Sequence, residues 1–131
     1  MATSRISPRL RDFNAQAIVD QEINYTIIGG RFSPAININL TSKDVILSVS
    51  EANGSHFMVS AGSFRQTGVG GYVARDKCGL CKTDILLQPL SGGDWAYSVG
   101  IEGFALRSTP VTVSLMIGSQ AGRATAKVYR F

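Results

Sequence analysis

Trp95-Ala96-Tyr97-Ser98-Val99, Val111-Thr112-Val113-Ser114-Leu115-Met116-Ile117 and Ala124-Thr125-Ala126-Lys127-Val128-Tyr129 carry the reading of this chain. In each, one set of alternate residues is apolar or aromatic and the other is small or polar, apart from Met116 and Tyr129. A period of two with one apolar side describes strands lying on a core, not helices. Glycine-bearing turns, Ser91-Gly92-Gly93-Asp94 and Gly118 to Gly122, separate these strands.

The same rhythm extends upstream. Phe13, Ala15, Ala17 and Val19 alternate with Asn14, Gln16 and Ile18. Ile23 to Ile28 follows, then Gly29-Gly30, read as a bulge or turn because glycine tolerates positive φ. Ile36, Ile38 and Leu40 form a half-buried pattern, and Thr41 to Asp44 a polar corner. Val45, Leu47 and Val49 alternate with Ile46 and Ser48 ahead of Asn53-Gly54, a strong hairpin signal. Gly68-Val69-Gly70-Gly71 reads as a turn. It has no buried parallel strand before it, no helix after it and no Gly-Lys-Ser/Thr, all of which a phosphate loop requires. Tyr72 to Arg75 and Thr83 to Leu90 are strands around a loop tip at Asp76 to Lys82.

About nine or ten short strands at roughly even spacing predict an all-β fold, an antiparallel β-sandwich of jelly-roll or immunoglobulin-like type. A chain of 131 residues fits one domain. The expected division is a flexible basic arm over 1–12, with Arg5, Arg9 and Arg11, and a single sandwich over 13–131. Apolar residues make up 44% and charged residues 17%, which argues against global disorder.

The net charge of +4 comes without a basic run, an aromatic-basic motif or a recognition-helix pattern, so nucleic acid is not an expected partner. No stretch has the apolar length of a spanning helix, so no membrane span is expected. The ending Tyr129-Arg130-Phe131 is shared with outer-membrane barrel strands, but Lys127 and Thr125 occupy the face of Tyr129, and most strands are too short for a barrel. No secretory leader is visible between Met1 and Val19.

Candidate chemistry is sparse. Cys78-Gly79-Leu80-Cys81 admits a disulfide, half of a tetrahedral zinc site to which the chain adds only His56 so that a second chain is needed to close it, or two free thiols. Redox catalysis is disfavoured because no helix follows to depress a thiol pKa. His56 is the only histidine and has no acidic neighbour in sequence. No carboxylates pair, so no enzyme and no cofactor are expected. Tyr72, Trp95 and Tyr97 are candidates for a sugar platform, against the simpler reading that Trp95 and Tyr97 share the core face of Val99.

Two stretches together resemble a known pattern. His56-Phe57-Met58-Val59-Ser60-Ala61-Gly62-Ser63-Phe64 resembles F-x-V-x-x-P-A-G-S-F, and Thr109-Pro110-Val111-Thr112-Val113-Ser114-Leu115-Met116-Ile117-Gly118 resembles N-P-V-T-V-x-L-x-I-G. Both belong to a repeat-type β-sandwich domain of uncharacterised bacterial surface or exported proteins. Gly71-Tyr72-Val73, Trp95-Ala96-Tyr97 and Phe104-Ala105-Leu106 fall between them in compatible order, so the likeness spans about Ile23 to Val128. It implies an extracellular or cell-surface module with no catalytic residues to carry over. This chain departs from the pattern in holding one copy, in lacking the proline before Ala61-Gly62 and in carrying the two cysteines.

The expected function is a non-enzymatic structural or assembly module that self-associates, into a fibre or surface layer, by strand addition. Phe13, Ala15, Ala17, Val128, Tyr129 and Phe131 are the assembly candidates, because they lie in terminal segments able to reach a neighbour's sheet edge. The alternative is a carbohydrate-binding module using the exposed aromatics.

Overall fold

A computed structural model describes residues 9–35, 38, 45–52, 54–61, 64–78, 81–107 and 109–130, the side chains of Ala61, Asp76, Lys77, Cys78 and Cys81 excepted. The strands are β1 (Leu10–Arg11), β2 (Gln16–Asp20), β3 (Tyr25–Pro34), β4 (Val45–Glu51), β5 (His56–Ala61), β6 (Arg65–Gln66), β7 (Tyr72–Cys78), β8 (Cys81–Pro89), β9 (Trp95–Glu102), β10 (Val111–Ile117), β11 (Gln120–Ala126) and β12 (Val128–Arg130). One turn of 3₁₀ helix, Ser91–Gly93, joins β8 to β9.

Two sheets face each other. The larger has the order β12-β2-β3-β9-β8-β7-β6, with β1 also paired to β3, and the smaller has the order β11-β10-β4-β5. Every pair is antiparallel except β12 on β2. The fold is therefore the expected β-sandwich. The chain passes between sheets after β3, β5, β9 and β11, while β6 to β9 run as a meander.

The alternation read from sequence sorts side chains as it should. Val45, Leu47 and Val49 of β4 and Val111, Val113, Leu115 and Ile117 of β10 are buried, facing Ile28, Ile85, Leu87, Val99 and Ile101 of the larger sheet. Burying such a side chain fully contributes roughly 1.5–3 kcal/mol. One end of the core is closed by the loop after β9. Asn24 O accepts Gly103 N at 2.8 Å and Phe104 N at 3.1 Å, and Thr26 Oγ1 donates to Phe104 O at 2.7 Å. This brings Leu106 into the core and stacks Phe104 on Phe57, with centroids 4.2 Å apart.

Several expectations change. Leu10 lies in β1 and is only 3% exposed, so the packed chain starts before Phe13 and the segment 9–12 is no free arm. Gly29-Gly30 makes no turn, since β3 runs through both glycines. The irregularity lies in the opposing strand. Arg11 pairs Ser33 and Gln16 pairs Gly29, so four residues, 12–15, face three, 30–32, as in a β-bulge. The Asp76–Lys82 tip is tighter than expected, because pairing continues to Cys78 opposite Cys81. The strand expected over Ile36 to Leu40, and the corner after it, lie outside the described residues apart from Ile38, which packs against the core.

The Asn53-Gly54 hairpin is present in a wider form. Gly54 N donates to Glu51 O at 3.0 Å, Glu51 N donates to Ser55 O at 2.8 Å, and Gly54 takes φ +91. This is a three-residue loop ending on a left-handed glycine. Between β10 and β11, Ile117 pairs Gln120 and Gly118 turns at φ +60.

Candidate functional site

The most elaborate constellation surrounds the bulge between β1 and β2. Asn14 N donates to Arg31 O at 3.1 Å, and Arg31 N donates to the Asn14 side-chain Oδ1 at 3.0 Å. The asparagine amide thus takes the place of a ladder carbonyl. Tyr97 Oη, on the inner face of β9, donates to Asn14 O at 2.7 Å. A Cβ on Gly30 would lie 2.1 Å from that same Asn14 O. Gly30 is therefore required by the close crossing of Asn14.

Phe13 is fitted alongside. Its ring stacks on Tyr97, with centroids 5.2 Å apart and planes 9° apart. Its other side meets Gly122 of β11, where a Cβ would stand 2.8 Å from Phe13 Cγ. Next to it, Arg9 bridges Ala121 of β11, Leu10 pairs Pro34, and Ala35 N donates to the buried Gln120 side chain at 2.8 Å. The segment from Arg9 to Asn14 therefore staples the two sheets together along one side.

The sugar-platform candidates lie on the inner face. Tyr97 is 3% exposed and Tyr72 is 8% exposed. Burial pushes the Tyr97 phenol well above its ordinary pKa. Tyr72 stacks on Trp95, centroids 6.1 Å apart, and Phe32 lies against Tyr97. Trp95 is half-buried and caps the end of the core opposite Phe104. These rings form a cluster at the core, with Trp95 its partly exposed member.

His56 and the cysteines belong to different sheets. His56 opens β5, is exposed, and shares a 3.1 Å hydrogen bond between its Nδ1 and Ser50 Oγ. Cys78 and Cys81 are direct partners across the β7–β8 hairpin. Their side chains, and with them the disulfide and metal readings, lie outside the described residues. Among the described residues no three His, Cys, Asp or Glu side chains gather as a metal site would need.

The assembly candidates are already engaged. Ala17 is fully buried, while Phe13, Ala15 and Val128 pack against the core. β12 pairs in parallel with β2 of its own domain, through Val128 opposite Ala17 and Tyr129 opposite Ile18. Tyr129 alone among the described candidates is largely open, at 56% exposure, and Phe131 lies outside the described residues.

The sheet edges differ in protection. β6 has two residues and begins at Arg65. β12 has three residues and ends at Arg130, and β11 carries Arg123 and is bridged by Arg9. β5 has six residues, HFMVSA, with no Asp, Glu, Lys, Arg or Pro. Its composition was visible in the sequence. Its place at an edge was not.

The chain matches no family model and no curated protein sequence. No helix among the described residues is long and apolar enough to cross a membrane.

Proposed function

We propose that this chain is a non-catalytic β-sandwich module that associates with further copies of itself by adding strands across the edge of its smaller sheet. The observation that supports this reading is β5. Edge strands that remain solitary are shortened, bulged or given charges and prolines. β5 has none of these, whereas β6, β11 and β12 are each short or carry arginine.

The hydrogen-bond phase adds to the argument. Glu51 and Ser55 close the hairpin, so along the β4–β5 ladder the pairs at Phe57, Val59 and Ala61 carry the bonds. The N–H groups of His56, Met58 and Ser60 then point away from β4, to a side where no described strand pairs with β5. A second β5 running antiparallel would satisfy them and join two four-stranded sheets. Met58, 56% exposed, would lie at the middle of that junction.

The two stretches that resemble the surface-protein repeat include β5 and β10, which flank β4 in the smaller sheet. An extracellular or cell-surface setting is part of this proposal and rests on that resemblance alone.

Light scattering coupled to size exclusion, with electron microscopy of the eluted species, tests the reading. The unaltered chain is expected to associate as concentration rises. Met58→Lys places a charge in the junction without touching the core, and is expected to lower association at least tenfold with an unchanged circular-dichroism spectrum. Equal association of the two proteins, or a wild-type chain that stays monomeric at all concentrations, overturns it.

A further inference from the structure

We infer that the outward face of the larger sheet carries a binding site for a neutral sugar chain, built on Tyr25. This face is turned away from the smaller sheet and from β5. It therefore stands or falls independently of strand addition at the β5 edge.

The tyrosine is laid down by a glycine. Tyr25 on β3 pairs Glu102 of β9, and Gly100 of β9 pairs Ile27. A Cβ on Gly100 would collide with Tyr25 Oη and stand 3.3 Å from Tyr25 Cζ. The side chain thus reaches the diagonal position on the neighbouring strand, as an aromatic can. The ring lies along the sheet instead of standing out from it. Tyr25 is half-buried, and no other ring stacks on it among the described residues. Covering Gly100 needs the ring alone. The hydroxyl has no hydrogen-bond partner among the described residues, so the fold does not account for it.

Charged groups of both signs border the ring. Glu102 stands opposite Tyr25, Lys82 opposite Glu102, and Asp84 opposite Gly100. Arg75 Nε lies 3.3 Å from Asp84 Oδ1. All four of these side chains are exposed, and two carboxylates balance two cations. Lys82 and Glu102 face each other across the ladder, yet form no ion pair among the described residues.

This chemistry fits a pyranose. Such a ring offers weakly positive C–H groups from its flat side, which suit the negative face of an aromatic ring. Its hydroxyls both donate and accept, so they meet carboxylate acceptors, cationic donors and the free phenol alike. A polyanion or a polycation gains no attraction from a balanced set of charges. An extended peptide finds no open main chain here, because β9 is paired on both sides, to β3 and β8.

The test titrates the isotope-labelled full chain with cellohexaose, xylohexaose and mannohexaose, read by amide chemical shifts. At least one is expected to give saturable shifts centred on Tyr25, Gly100 and Glu102, unchanged in a Met58→Lys protein. Tyr25→Ala is expected to weaken binding at least tenfold with an unaltered circular-dichroism spectrum. Tyr25→Phe keeps Gly100 covered and is expected to weaken binding about threefold at wild-type stability, which a purely structural tyrosine would not do. Tyr25→Phe and Glu102→Ala carry the test if the alanine protein does not fold. Polygalacturonate, a charged chain, is expected to bind more weakly than the best neutral sugar.

The inference is overturned if no neutral hexasaccharide binds, if the shifts centre on Trp95 or elsewhere, or if polygalacturonate binds best. It is equally overturned if the Tyr25 and Glu102 variants bind as the parent does. Failure here leaves the β5 reading untouched, since that is judged by association of the unaltered chain against Met58→Lys.

Discussion

Tyr97 Oη donates a 2.7 Å hydrogen bond to the main-chain oxygen of Asn14, a residue 83 positions earlier. That contact fastens the first strand pair to the middle of the larger sheet, with Phe13 stacked on the same tyrosine ring. It also makes an aromatic residue that looked available for ligand binding into a buried structural donor.

Removing the hydroxyl isolates its contribution. Tyr97→Phe keeps the ring against Phe13 and Phe32 but leaves Asn14 O without this donor. The bond is part-buried, and such a hydrogen bond contributes about 0.5–1.5 kcal/mol net. Urea denaturation is expected to show a loss in that range with an unchanged slope. A loss below about 0.5 kcal/mol would mean that solvent reaches Asn14 O.

The same phenol predicts an alkaline limit. Its folded pKa is raised by burial above the unfolded value of about 10. Above pH 10 the unfolded chain loses this proton while the folded chain keeps it. The contribution is therefore complete below about pH 10 and is lost as pH rises beyond it. Denaturation midpoints from pH 8 to 11 are expected to be level at first and then to fall. Tyr97→Phe is expected to flatten the fall, and an equally steep decline in that variant would assign it to other groups.

Two glycines separate backbone strain from collision. Gly54 occupies φ +91 with open space around it, so Gly54→Ala meets only the left-handed penalty, about 1 kcal/mol. Gly30 has no positive φ, yet its Cβ would meet Asn14 O at 2.1 Å. Gly30→Ala must displace main chain and is expected to cost about 2–3 kcal/mol, the upper part of the overpacking range. Thermal unfolding of both proteins checks the order, and a Gly30→Ala protein as stable as Gly54→Ala would show that the bulge relaxes freely.

Truncation distinguishes arm from core. Removing residues 1–20 takes Leu10, Ala17 and Val19 from the core and strips β12 of its partner. The remaining chain is expected to lose its near-ultraviolet dichroism and its cooperative melt. Removing 1–8 leaves every described contact in place and is expected to preserve both. A well-folded chain lacking 1–20 would show that β2 is dispensable.

The alternation of β4, β9 and β10 could be read directly because a strand's in-and-out rhythm is local. Val45, Leu47 and Val49 declare their face without reference to any partner. The same rule correctly paired Tyr97 with Val99 on the buried side. At Gly29-Gly30 it left a bulge or a turn open; there is no turn, and the bulge lies in the segment opposite. The demand for glycine at position 30 comes from Asn14, which reaches β3 from the link between β1 and β2. It also missed Leu10, since a two-residue strand offers too little periodicity to see. The tip at Cys78 and Cys81 looked like a loop because lysines and glycine surround it, yet the ladder from β8 carries pairing to its end.

Side-chain order along the chain thus specified an all-β protein, its principal strands and most of its turns, for these depend on neighbours two or three residues away. Which strands stand at edges, that β12 lies parallel on β2, and that Phe13 and Asn14 plug a cradle cut by Gly30 and Gly122 emerged from folding alone. Such contacts join residues remote in sequence, and nothing in one segment's composition encodes the distance to its partner.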